Sequence, residues 1–278
     1  MSLFITSLNS GSNGNCYYIG NDTEAVLIDA GISCRETEIR MKRLGLGMEK
    51  VKAIFISHEH KDHISGLSVL SKKYQLPVYI TEHTQKNGKV GLEKKLVNRF
   101  KANESVQIGT LSITAFKKFH DAEDPHSFTV ASSSIKIGVF TDIGNVCEEV
   151  VRHFKQCHAV FLEANYDEEM LHNGGYPYYL KKRITDGKGH LSNVQALELF
   201  RKHRSVFLSH LILSHLSKHN NKPELVRQLF SKHSDNTKII IASRDEETAI
   251  YHISNQMIFP KQIEKRKIKK GQQQLSLF

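Results

Sequence analysis

The chain has 278 residues, 39% of them apolar and 24% charged, a balance that can close a core of its own and excludes a fibrous or wholly disordered protein. No run of about 18 consecutive apolar residues occurs, which excludes a membrane-spanning helix on pattern grounds. A net charge of +10 disfavours a basic partner and suits a polyanion.

Residues 1–14, MSLFITSLNSGSNG, lack the basic start and apolar centre of an export signal, so a soluble, cytoplasmic protein is expected. Cys16, Cys34, Cys147 and Cys157 lie far apart without a Cys-x-x-Cys pair, which predicts free thiols rather than a zinc ribbon or a disulfide framework. Gly11 to Asn15 read as a polar loop in which Ser12, Asn15 and the backbone amides could approach a phosphate; a plain hairpin turn is the alternative.

Three apolar, β-branched stretches then run into polar clusters. Residues 24–28 (EAVLI) meet Asp29-Ala30-Gly31, residues 51–56 (VKAIFI) meet Ser57-His58, and residues 135–140 (IKIGVF) meet Thr141-Asp142. Helix starts are expected at Ser33 with Glu36, Asn145 with Glu148 and Ser192 with Gln195, since each pair can form a capping box. The similar strand-to-helix units in the two halves suggest a duplicated architecture. After both, Tyr176, Tyr178, Tyr179, Lys181, Lys182 and Arg183 combine stacking faces with cations, as a nucleic-acid channel does; tyrosines packed under a loop are the alternative. Residues 206–213 and 239–242 read as late core strands, Ser214-His215-Leu216-Ser217 follows the first of them, and residues 244–247 are expected to open a helix. Residues 261–270 (KQIEKRKIKK) hold six Lys or Arg against one Glu. One domain over 1–258 and a basic, flexible tail over 259–278 are expected.

The densest chemistry lies at residues 57–63, SHEHKDH. His58 and His60, two apart on an extended segment, can share one ion, and the adjacent Asp62 and His63 can meet a second. So many titratable groups at a strand end are what a site requires and a surface loop does not.

His-x-His-x-Asp-His after a strand, with Asp29 ending an earlier one, resembles the metallo-β-lactamase-fold hydrolases. That resemblance implies an α/β fold, a four-layer αββα sandwich whose two halves bring strand-end loops together over two metal ions. It assigns His58, His60 and His120 to one ion, Asp62, His63 and His215 to the other, and Asp142 between them. His126 is the rival of His120, and Asp29 is expected to orient the His loop. Mixed imidazole and carboxylate donors suit Zn²⁺, Mn²⁺ or Fe²⁺.

The stretches NSGSNGNCYYIG, FLEANYDEEMLHNGGYPYYLKKRI, GKGHLSN and LSHLSKHNNKPEL are similar to the WalJ/YycJ-like branch, which spans about residues 2–255 here. This implies a 5′ to 3′ DNA exonuclease of bacterial mismatch repair, with Asp62 counted among its catalytic residues and His190 as proton donor. Gln274, Leu275, Leu277 and Phe278, in the final QLSLF, resemble the short peptide that docks on the bacterial sliding clamp. A nucleoid-associated enzyme with DNA and the clamp as partners is the leading expectation. A lactonase or thioesterase, an RNA-processing nuclease and a non-enzymatic clamp adaptor are the competing ones.

Overall fold

The computed structural model describes residues 2–254. The tail expected over 259–278, its boundary at 258, and Gln274, Leu275, Leu277 and Phe278 lie outside them.

Six strands, β1 (Leu3–Asn9), β2 (Cys16–Gly20), β3 (Ala25–Ile28), β4 (Val51–Phe55), β5 (Val78–Tyr79) and β6 (Val97–Asn98), lie side by side in chain order. The second sheet also follows the chain: β7 (Ser105–Ile108), β8 (Leu111–Lys117), β9 (His126–Ser132), β10 (Ile135–Phe140), β11 (Ala159–Glu163), β12 (His210–Ser214) and β13 (Lys238–Ile241). The chain then returns to the first sheet as β14 (Tyr251–Ile253), antiparallel to β1.

The two sheets face each other over a shared core. Ile5, Tyr17, Val26, Ile28 and Phe55 from the first meet Ile113, Phe128, Val130, Ile137, Phe161 and Ile212 from the second. Side chains alternate across a strand, and the opposite faces are apolar too, so a second layer must cover each sheet. Outside the first sheet, α1 (Cys34–Arg43) and α3 (Leu67–Tyr74) bring Met41, Leu67 and Leu70 against Leu27 and Ile54. Outside the second, α5 (Glu148–Phe154), α8 (Asn193–His203) and α9 (Pro223–Ser231) bring Phe154, Phe200 and Phe230 against Phe140, Leu211 and Leu213. Each fully buried Phe or Leu contributes about 1.5–3 kcal/mol of transfer free energy. The result is the αββα sandwich. Four further helices, α2 (Lys61–Ile64), α4 (Glu82–Asn87), α6 (Glu168–Asn173) and α7 (Tyr178–Thr185), lie on the connections. Among the described residues no helix is long and apolar enough to cross a membrane, and all four cysteines are free.

The topology places the site. Strands β3 and β4 are parallel, as are β10, β11 and β12, so the C-terminal ends of each set lie together. Three residues there take left-handed backbone, Asp29 (φ 63°), Asp142 (φ 55°) and His215 (φ 57°), each at a cost of about 1–2 kcal/mol. Such conformations persist where the surrounding structure fixes them, and they cluster at functional sites. Gly31 allows a close approach: a Cβ there would stand 1.6 Å from the carbonyl oxygen of Asp62.

Ser33 caps α1 by accepting the Glu36 amide, and Ser192 and Gln195 form the full capping box of α8. Asn145 does not cap: the helix begins after Cys147, because Asn145 is bridged to Phe119 and the Gly144 amide donates to the Phe119 carbonyl. Nor do residues 244–247 open a helix. The Asp245 and Glu246 amides close a turn on Ser243 Oγ, while Asn13 and Arg40 take the carbonyls of Arg244 and Asp245. In residues 206–213 only the part from His210 joins a strand; Val206 is exposed on the preceding loop.

Candidate metal centre

The segment after β4 supplies most of the site. Asp29, fully buried at the end of β3, accepts the Ser57 amide at 2.8 Å, Ser57 Oγ–H at 2.9 Å and His63 Nδ1–H at 2.7 Å. Since Ser57 Oγ gives its proton to Asp29, it accepts from His58 Nδ1, 2.9 Å away. His120 donates Nδ1–H to the Gly189 carbonyl at 3.0 Å. The bonded nitrogen of each ring thus carries a proton, which makes Nε2 of His58, His63 and His120 the atom each ring turns to the cleft.

These nitrogens converge. His58 Nε2 and His120 Nε2 lie 3.1 and 3.3 Å from His60 Nδ1, closing one group of three. Asp62, His63 and His215 form another, with His63 Nε2 and His215 Nε2 3.5 and 3.4 Å from Asp62 Oδ2. Asp142 lies between, its Oδ2 3.3 Å from His63 Nε2 and its Oδ1 3.4 Å from His215 Nε2 and 3.9 Å from His120 Nε2. Asp142 Oδ2 is buried and accepts no hydrogen bond, a lone pair that a cation would satisfy. Two adjacent donor triads sharing a carboxylate suit a dinuclear divalent centre.

The electrostatics are those of a cation site. Burial opposes the charged form of His215, yet Asp142, Asp62 and Glu163 push its pKa up to about 10. His63 is also raised well above the usual imidazole range, by Asp142, Asp29 and Asp62 against burial. Burial raises the carboxyl pKa of Asp62 and Asp142, but His63 and His215 outweigh it and hold both well below the usual range. His58 goes the other way: burial and the neighbouring His63 drive it well below. Burial likewise takes His120 down to about 3.

Several contributors were not among the residues expected from the sequence. Glu163, the last residue of β11, is fully buried; its Oε1 accepts from His190 Nδ1 at 2.7 Å and His215 Nδ1 at 3.2 Å, and its Oε2 accepts the Ile143 and Leu191 amides. A strand-end acid in FLEANY was the available signal. Lys118, buried two residues before His120, donates to the Thr141 carbonyl at 2.7 Å. Asn165 Nδ2 donates to the His215 carbonyl at 2.8 Å.

Other expected residues are placed as follows. His126 opens β9 and donates to the Asp124 carbonyl, apart from both triads. Asn15 is buried beneath Asp62, its Nδ2 3.1 Å from Asp62 Oδ2, whereas Ser12 is exposed on the cleft wall. Helix α7 divides the basic and aromatic set. Tyr176, Leu180 and Arg183 face a cleft of about 210 Å³ shared with His190 and His215, while Tyr178, Lys181 and Lys182 line a separate cavity of about 550 Å³. Arg183 also pairs with Asp121, next to His120. Tyr178 and Tyr179 are 80% and 74% exposed, so neither packs under a loop.

A family model described as "Beta-lactamase superfamily domain" matches residues 24–216. Exodeoxyribonuclease YycJ of Bacillus anthracis is 35% identical over 237 residues, 84% of this chain and 89% of that protein. Exodeoxyribonuclease WalJ of Streptococcus pneumoniae is 32% identical over 225 residues, 78% of this chain and 83% of that protein. Among solved structures, the metallo-β-lactamase-fold protein YhfI from Bacillus subtilis superposes with a TM-score of 0.71 at 16% identity, covering 91% of this chain and all of that one.

Proposed function

Since the chain belongs to the β-lactamase superfamily and, within it, groups with the exodeoxyribonucleases YycJ and WalJ, we infer that it is a metal-dependent hydrolase that removes nucleotides from DNA. The observation that carries this reading is the pair of donor triads meeting at Asp142. We propose further that the digestion runs 5′ to 3′, in mismatch repair, in the cytoplasm at the nucleoid.

In this reading His58, His60 and His120 hold one cation, Asp62, His63 and His215 the other, and Asp142 both. Zn²⁺ and Mn²⁺ suit the donors best, with Fe²⁺ also compatible. Bound there, the two cations supply Lewis acidity to a water and to the phosphodiester oxygens. The chain's own residues do the rest. Asp29, Ser57 and Gly189 fix the ring orientations, and Asn15 steadies Asp62. His190, with Nδ1 committed to Glu163, has only Nε2 left to give a proton to the departing strand oxygen, and the buried carboxylate supplies its countercharge. Ser12 and Arg183 border the DNA path on the cleft side of α7, and Tyr178, Lys181 and Lys182 extend it on the other.

End-labelled duplex DNA tests this directly. Mononucleotides should appear from the 5′ end in the presence of a divalent cation and should vanish in a His58→Ala, Asp62→Ala protein. Turnover of lactones or thioesters with no attack on DNA would overturn it. We also propose that Gln274, Leu275, Leu277 and Phe278 dock on the sliding clamp, the basic run at 261–270 lying along nearby duplex. A Leu277→Ala, Phe278→Ala protein should lose clamp binding and keep its activity on naked DNA; undiminished clamp affinity would refute the docking.

A further inference from the structure

Beside the metal cleft lies a cavity of about 360 Å³, bounded by the residues after β12, by α9 and by the turn after β13. Resting on the DNA-hydrolysing function inferred above, we propose that this cavity holds the terminal 5′-phosphate of the strand being degraded.

Three cations line it: Lys218, Arg227 and Arg244. None of them forms an ion pair with a carboxylate among the described residues, whereas Arg40 pairs with Glu36 and Arg204 with Asp235. Arg244 Nη1 is buried with no hydrogen-bond partner, which is costly for a charged donor unless a ligand completes it. Asp245 is the one carboxylate on the wall.

Two hydroxyls add to the donor set. Ser243 Oγ already accepts the Asp245 and Glu246 amides at 3.0 and 3.2 Å, and Ser217 Oγ accepts the Asn220 amide at 3.3 Å. With lone pairs engaged, each presents its proton to an acceptor. The wall is therefore a concave array of cationic and hydroxyl donors, the inverse of a phosphate's oxygens.

The cavity adjoins the metal cleft. Ser217, two residues after His215, lines both, and Ser10 on the same wall accepts the His215 amide at 2.8 Å. A strand whose linkage reaches the donor triads can place its adjoining terminal group here. A phosphomonoester carries a charge of about −1.5 to −2 near neutrality, against −1 for an internal linkage, so three unpaired cations favour the end over the interior. Holding that end sets which linkage is cut and gives the digestion its direction.

Calorimetry tests the site apart from catalysis. The intact chain, with and without chelator, should bind thymidine 5′-monophosphate and bind thymidine far more weakly. Arg244→Gln should lower the mononucleotide affinity roughly tenfold to a hundredfold, and Arg227→Gln, a change at an exposed position, should weaken it in the same direction with the fold intact. On oligonucleotides, wild-type protein should prefer 5′-phosphorylated over 5′-hydroxyl ends, and Arg244→Gln should reduce that ratio. Equal binding of nucleotide and nucleoside, an unchanged ratio in both variants, or a preference for 3′-phosphorylated ends would overturn the proposal. Arginine-dependent mononucleotide binding in a protein that hydrolyses no DNA would instead overturn the function on which it rests.

Discussion

Replacing Glu163 by Gln keeps the shape of a fully buried side chain and removes its charge. The carboxylate accepts four hydrogen bonds, from His190 and His215 on one oxygen and from the Ile143 and Leu191 amides on the other. An amide can accept on only one side. If its nitrogen faces the two backbone amides, donor meets donor in a buried space; if it faces the imidazoles, their protons must move from Nδ1 to Nε2, and His215 no longer presents a lone pair to the centre. The first arrangement leaves buried donors unsatisfied, a destabilisation of about 1–3 kcal/mol, and the second forfeits His215 as a ligand. A proton donor that has lost its orienting partner forfeits up to about 10²–10⁴ in rate. The expected outcome is a folded Glu163→Gln protein, one to three kilocalories less stable by urea denaturation on that estimate, with kcat on labelled duplex DNA reduced at least about a hundredfold. Metal content measured in the same samples separates loss of His215 coordination from loss of His190 orientation. A variant with full metal content and kcat within about threefold of wild type, a loss under about 1 kcal/mol, would refute the role given to Glu163.

Asp142→Asn should lower the bound metal below two ions per chain and reduce DNA hydrolysis to background, as read by elemental analysis and nucleotide release; two retained ions would contradict the shared position of Asp142. Metal binding should release protons. Without cations His63 and His215 keep their second proton up to pKa values raised well above the usual range and to about 10, so at pH 7 coordination must expel it from each ring. Affinity should then rise as pH increases toward those values and fall as it decreases, with up to about two protons released, one from each ring, in calorimetric titrations run in two buffers; no release at pH 7 would count against this. Gly31→Ala places a methyl 1.6 Å from the Asp62 carbonyl oxygen, so the loop carrying Asp62 must move. The variant should be about 1–3 kcal/mol less stable in chelator and should bind metal more weakly, whereas wild-type stability would show that the two loops are free to separate.

What the sequence determined by itself was the chemistry that acts over a few residues. Nearly continuous apolar, β-branched runs marked β3, β4 and β10, because a strand buried on both faces must be apolar almost throughout. Ser192 and Gln195 announced a capping box because its two bonds close within one turn. The crowding of His58, His60, Asp62 and His63 spoke for a cation site without reference to the rest of the chain. Only the tertiary structure decided what long-range pairing controls. The parallel register of β10, β11 and β12 carries Glu163 and His215 to the end of the sheet where Asp142 lies, and a single acid in FLEANY gives no sign of that. His120 faces the triad and His126 opens a strand elsewhere, although both stand on the same short segment. Asn145 and residues 244–247 carry helix-starting residues, yet distant groups, the Phe119 carbonyl in the first case and the Asn13 and Arg40 side chains in the second, claim the neighbouring backbone hydrogen bonds first. Local pattern fixes which residue types can meet a cation or cap a helix. Which of them do so depends on groups far away in the chain, brought close only when both sheets bury their shared faces.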